Sequence, residues 1–262
     1  MTSNYKFETR EQLDTAVDLW LDDEASAIET YGDINTWDVS EIDDFSNLFS
    51  TTRNKLSSTF NSDISNWDVA KGKNFLGMFF KAQIFNQDIS DWDVSSGWNF
   101  SSMLAYTASF NQDIGDWDVS NGQYFVGMFT DAYNFNQDLS YWDVSNGINF
   151  AGMFTYATSF KQDIGDWDVG NGTDFSSTFR GANSFNHDIG NWDLSNALDL
   201  KYMFMNATNF NQDLNNWDLS KATDLMYMFY DADSFNSDIS RWDVSSVTEF
   251  NAMFYGAKSL YS

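Results

Sequence analysis

The sequence predicts an α/β solenoid of about nine 25-residue strand–turn–helix units stacked behind an N-terminal capping helix. Three observations predict it. A Trp-Asp pair recurs at Trp67, Trp92, Trp117, Trp142, Trp167, Trp192, Trp217 and Trp242, each 25 residues after the last, with Trp37 opening the series. Each unit carries two hydrophobic periods, one strand-like and one helical. A polar, turn-rich step separates them. Strict self-similarity of this kind is the signature of an array in which a single unit cannot bury its own apolar faces.

The N-terminal stretch comes first. Thr9-Arg-Glu-Gln12 has the form of a capping box, and Leu13, Ala16, Val17, Trp20 and Ile28 follow on one helical face. Residues 1–30 are therefore expected to cover the open edge of the first unit. The solenoid then runs over 31–262 as one continuous domain. Trp37 and Trp67 are separated by five extra residues, which places a loop insertion at about 50–59, around Arg53-Asn54-Lys55.

Within a unit, Ile114, Trp117 and Val119 have an L-x-x-L-x-L spacing whose last two residues share one face of a strand. Ser120-Asn121-Gly122 supplies turn chemistry and a helix start. Phe125, Met128, Phe129 and Ala132 recur at i, i+3, i+4 and i+7, the stripe of an amphipathic helix. Stacking would place parallel strands on one side and helices on the other. The last unit stops at Ser259 to Ser262 without a comparable cap. The expectation at that end is either further chain or end-to-end pairing with a second copy.

Composition narrows the partners. The 25 Phe, 12 Tyr and 11 Trp suffice for a large core, so disorder is not expected despite a formal net charge of −26. That charge excludes nucleic acid, whose binding needs Lys and Arg to displace counterions, and disfavours anionic membranes. It points to cations, basic partners or uncharged sugars. With no cysteine, neither disulfides nor thiolate metal sites form. No apolar run approaches the roughly 20 residues of a membrane span. Met1 to Thr9 is polar and lacks a signal-peptide core.

If Trp92 and Val94 point inward, Asp91 and Asp93 face out. Applied to every unit, this stacks Asp68, Asp93, Asp118, Asp143, Asp168, Asp193, Asp218 and Asp243 in one column. Charges about 4.8 Å apart repel by about 0.9 kcal/mol even in water. Something must offset that: hydrogen bonds within the turns, bridging Ca²⁺, or protonation. No EF-hand spacing is present. A second column, Asp63 to Asp238, precedes it at the same period, with a turn-fixing role expected. The residue before each Trp varies, which makes Asp91, Asp116, Tyr141, Asp166 and Arg241 the candidate ligand-binding row. The repeated Trp resembles a sugar platform, but its strand phase places it in the core.

No catalytic pattern emerges. The sole histidine, His187, replaces the Gln of Phe-Asn-Gln-Asp and has no nucleophile beside it; no Walker, Rossmann or nucleophile-elbow motif occurs.

Phe110-Asn-Gln-Asp-Ile-Gly-Asp-Trp-Asp-Val-Ser120 followed by Met128-Phe-Thr-Asp-Ala132 resembles the repeat of the BspA-like leucine-rich-repeat surface proteins. Tyr31-Gly-Asp-Ile34 and Trp37-Asp-Val-Ser40 are similar to that family's opening segment, and the likeness runs from about Phe7 to Leu260. Mid-chain units depart from it where Gly-Gln, Gly-Ile or Gly-Thr replaces Val-Thr. The resemblance implies a right-handed leucine-rich-repeat-like solenoid on the cell surface or outside the cell. It implies adhesion to a protein or glycan of a surface or matrix, and no catalytic residues.

Overall fold

The computed structural model describes residues 4–261. Helix α1 spans Arg10–Asp22, and Thr9 and Gln12 close the reciprocal capping box in front of it. Leu13, Ala16, Val17 and Trp20 are buried from this helix. The helix does not continue through residue 30. Asp23 ends it and caps α2, Glu24–Tyr31, by accepting from the Ser26 N–H. That break turns Ile28 outward, leaving it exposed instead of on the buried stripe.

The insertion fastens this cap to the stack. It contains a 3-10 turn, Lys55–Thr59. Arg53 reaches back to Asp18 at 2.9 Å and Asp14 at 3.6 Å, and Asn54 donates to Asp18 at 2.9 Å. Trp20 donates its indole N–H to the Ser62 hydroxyl at 3.0 Å.

The repeats correct the expectation. Among the described residues no extended strand or sheet forms, and no α-helix occurs after Tyr31. A strand–turn–helix solenoid is not what this sequence builds. Lateral pairing consists of isolated parallel bridges, Asn74↔Asn99, Asn99↔Tyr124, Tyr124↔Asn149 and so on to Asp224↔Glu249. These bridges lie at the start of the segment expected to be helical. No backbone hydrogen bond joins the Trp-Asp-Val segments of adjacent repeats among the described residues.

Backbone conformation explains the exchange. In the unit at 125–132, alternate N–H groups divide between two directions. Met128, Thr130 and Ala132 donate within the coil, to Phe125, Gly127 and Phe129. Phe125, Gly127, Phe129 and Asp131 donate to Asn149, Ala151, Met153 and Thr155 of the next coil, at 2.8–3.0 Å. Gly127 (φ 60°) and Asp131 (φ 55°) are left-handed, and their equivalents repeat along the chain. A left-handed residue every fourth position cannot propagate an α-helix. The i, i+3, i+4, i+7 stripe still points inward, so burial alone does not tell these turns from a helix.

Up to three Asx turns shape a coil. In one coil, Asp138, Asp143 and Asn149 accept through Oδ1 from the N–H of Ser140, Ser145 and Ala151 at 2.9, 3.0 and 2.8 Å. These side chains supply acceptors that a sheet or helix would otherwise provide. Inside, like aromatic residues stack on like. Phe85, Phe110, Phe135, Phe160, Phe185 and Phe210 follow one another with ring centroids 5.9–6.2 Å apart. Trp117, Trp142, Trp167 and Trp192 do the same at 6.4–6.5 Å. Such separations lie within the favourable range for offset ring pairs. Each fully buried Phe contributes roughly 1.5–3 kcal/mol.

The tryptophans of the Trp-Asp pairs from Trp67 to Trp242 are core. Each is buried, and each indole N–H crosses to the preceding coil: Trp142 Nε1 donates to the Ile114 carbonyl at 2.9 Å, and Trp117 Nε1 to Ile89 at 3.0 Å. A buried donor is thereby satisfied and a buried carbonyl claimed.

Candidate functional site

Two long surfaces remain exposed. The first carries the Trp-Asp residues. All eight column members, from Asp68 to Asp243, are exposed, and each Oδ1 accepts the N–H of the residue two positions on, at 2.9–3.1 Å. The serine hydroxyl two residues on, then that serine's N–H, holds Asp93, Asp143, Asp193, Asp218 and Asp243 below the usual carboxylate range. The earlier column does the same work. Asp63 accepts from Ser65 at 2.9 Å and Asp213 from Asn215 at 2.9 Å. For Asp88, the Ser90 hydroxyl and then its N–H lower the pKa.

One oxygen of each column carboxylate is thus committed to its own turn. Among the described residues, no group of three or more His, Asp or Glu side chains is placed to hold a metal ion. The candidate ligand row lies on this surface. Asp91, Asp116, Tyr141, Asp166 and Arg241 are all exposed, Tyr141 at 84%. They stand one to a coil. His187 is partly buried, with its ring 6.3 Å from that of Phe185.

The second surface is formed by the outward side chains of the bridge and left-handed segments, and sequence reasoning overlooked it. Trp98, Tyr106, Tyr133, Ile148, Leu198 and Tyr255 are exposed here. Tyr202 stacks on Tyr227 at 5.3 Å, and Tyr230 on Tyr255 at 5.1 Å. Two cations are set among these rings. Lys81 lies over Phe80 and Tyr106 at 5.1 and 5.2 Å. Arg180 lies over Tyr156 and Tyr202 at 5.6 and 5.7 Å. Gln83, Tyr106, Ala108, Asp131 and Tyr133 line a depression of about 310 Å³, where Tyr133 Oη donates to Asp131 at 2.6 Å.

The chemistry of the two surfaces differs accordingly. One presents repeated carboxylates on a near-constant sequence. The other presents rings, phenols and scattered cations that change from coil to coil on a constant backbone. The signal for the second was available: outside the inward stripe, residues such as Phe80, Tyr156, Arg180 and Tyr227 interrupt otherwise small or polar positions.

The molecule is defined by its tandem coils. It is a repeat protein. The chain belongs to the family described as Mycoplasma protein of unknown function, DUF285, whose model matches residues 21–125, 98–189, 123–214 and 162–262. Two of these matches, 98–189 and 123–214, are offset by one repeat of 25 residues. No curated protein and no solved structure matches the chain.

Proposed function

We propose that this chain is a non-catalytic binding or adhesion module of a cell-surface or exported protein, engaging a protein or glycan through its aromatic, cation-bearing surface. The observation that carries the reading is variation in surface chemistry on an invariant frame. Asx turns, aromatic stacks and indole–carbonyl bonds recur in coil after coil, while the outward positions of the bridge segment change freely. Scaffold constancy with local side-chain diversity is how stacked-repeat proteins present recognition surfaces. The resemblance of the Phe-Asn-Gln-Asp and Trp-Asp-Val-Ser segments to BspA-like surface proteins supports the same reading, and with it a location outside the cell. Exposed tyrosines, amphipathic and stiff, are suited to such contacts.

The test is binding of the full chain to arrays of surface glycans and matrix proteins. The comparison is a variant with Tyr106, Tyr156, Tyr202 and Tyr227 changed to Ser. Loss of a wild-type interaction in that variant, with its melting transition retained, supports the proposal. An interaction unaffected by those four changes but abolished by Asp91→Ser with Asp116→Ser would move recognition to the Trp-Asp surface.

A further inference from the structure

Thirteen lysines and arginines stand against 39 acidic residues, so an arginine without a carboxylate partner is out of keeping with this chain. Arg180 is such a residue. Among the described residues no Asp or Glu forms an ion pair with it, and no carbonyl or hydroxyl accepts from its side chain. Its Nε is shut off from solvent with no hydrogen-bond partner. Its terminal nitrogens are not similarly enclosed.

The side chain is nonetheless held. Tyr156 of the preceding coil and Tyr202 of the next flank the guanidinium. Gly181 makes this possible. A Cβ there would stand 2.2 Å from Tyr156 Cδ1, and its φ of +67° already suits glycine. The Tyr156 ring therefore lies across the next coil, beside Arg180. The far side of Tyr202 is closed by Tyr227 at 5.3 Å. The result is a planar fork of N–H donors fixed by rings and left unspent.

Resting on the reading of the chain as a binding module, we propose that Arg180, Tyr156 and Tyr202 form a subsite for the carboxylate of an acidic sugar within a glycan. A guanidinium pairs with a carboxylate through two parallel N–H···O bonds, stronger and more directional than a neutral contact. The phenol hydroxyls of Tyr156 and Tyr202 bond to no protein group among the described residues, leaving them free for sugar hydroxyls.

Two features favour a glycan over an acidic peptide. Around Arg180 the backbone offers a peptide no free edge, since the N–H groups of Phe175, Ser177, Phe179 and Gly181 are all spent on the next coil. Strand addition is therefore closed. Tyr202 lies between Arg180 and Tyr227, and Tyr156 turns a face to Arg180, which leaves less apolar ring face for a hydrophobic anchor. The chain's net charge of −26 repels any anion at long range, but at physiological salt that field is screened beyond about 8 Å while contact bonding persists.

The experiment is calorimetric titration of the full chain at about 0.15 M salt with oligogalacturonate and with its methyl ester, which keeps the backbone and removes the charge. The free acid binds and the ester binds at least tenfold more weakly. Arg180→Gln loses at least tenfold, and Arg180→Lys, which keeps the charge without the fork, loses severalfold. Lys161→Gln makes the same charge change at an exposed position outside the proposed subsite and leaves binding unaltered. Equal binding of acid and ester, or equal loss in the Arg180 and Lys161 variants, overturns the subsite. Preferential, Arg180-dependent binding of poly-glutamate overturns the sugar in favour of a peptide. A partner retained equally by wild type and Arg180→Gln refutes this proposal while leaving the binding-module reading in place.

Discussion

The two long surfaces of the stack are built from the same 25-residue unit, yet they obey different rules. On the Trp-Asp surface, identity is enforced from beneath. Trp fills the core and bonds to the neighbouring coil, and each Asp closes its own turn. A change at either position alters the frame. On the bridge surface, the backbone supplies most of the bonds between coils, and outward side chains add a few, such as Thr130 Oγ1 to the Gly152 carbonyl at 2.9 Å. The recurrent carboxylates are thus architectural, and the irregular tyrosines, arginines and lysines are free to specialise. Repetition in such a molecule marks structure, and departure from repetition marks opportunity.

The largest effect should come from the architectural side. Trp142→Ala empties a fully packed site and orphans the Ile114 carbonyl that the indole bonds. Denaturant unfolding should show a loss of about 3–5 kcal/mol. A loss below about 1 kcal/mol would mean the indole is not part of the frame.

The backbone of the bridge surface comes next. Gly152 has φ +65°, and a Cβ placed there would meet no atom closer than the Thr155 hydroxyl at 3.3 Å, so strain at this position is chiefly conformational. Gly152→Val should cost about 2 kcal/mol, and Gly152→Asn clearly less, because Asn tolerates the left-handed region. Equal costs would deny the left-handed conformation. By contrast Tyr227→Ser, on the same surface, should leave stability within about 0.5 kcal/mol.

Acid titration separates turn bonding from repulsion. Hydrogen bonds from serine hydroxyls and N–H groups lower Asp93, Asp143 and Asp193 in the folded chain. A depressed folded pKa contributes stability that is fully present above the unfolded value, near 3.9. That contribution is lost as pH falls through the lower folded value. The melting temperature should therefore hold to about pH 4 and drop below it. A steady rise from pH 7 to 4 would show that repulsion along the columns dominates.

The smallest effect is expected from single column charges. Asp143→Asn keeps an Oδ1 acceptor for Ser145 and removes a charge, so stability should shift by no more than about 0.5 kcal/mol, and less at high salt. With one oxygen of each carboxylate already engaged, Ca²⁺ should raise the melting temperature no further than Mg²⁺ at equal ionic strength. A Ca²⁺-specific rise of many degrees would restore the cation-bridged column to consideration.

How far the sequence was legible follows from the same contrast. The Trp and Val inward phase was visible because alternation encodes burial whichever backbone carries it. The helix was not there to be found: Phe125, Met128, Phe129 and Ala132 satisfy a helical stripe and a series of left-handed turns equally well. One cue distinguishes them. Gly77, Gly127 and Gly152 occupy the same place inside the supposed helix, where glycine costs about 1 kcal/mol relative to alanine. The strand failed for a similar reason, since alternation reports which side chains are buried and not which amides pair. In α1, the Asp23 cap bonding Ser26 overrode a hydrophobic pattern that ran on to Ile28. The Arg180 cradle was illegible because it joins residues of three coils, and because it depends on Gly181 standing where the preceding unit carries Tyr156, while Tyr202 comes from another place in the unit.

The asparagine side chains that tie one coil to the next carry a further consequence. Asn111, Asn136 and Lys161 each take their N–H to the asparagine 25 residues earlier, at 2.9, 2.9 and 3.0 Å. Beyond the insertion, the stacks between equivalent positions of neighbouring coils share that one interval, so genetic change in whole units there leaves them in register at once. Loss or gain of a single residue breaks rings, amides and indoles together. Such a gene can lengthen or shorten its product by unequal crossing-over between copies, with each recombinant inheriting a foldable chain and a newly ordered set of surface groups.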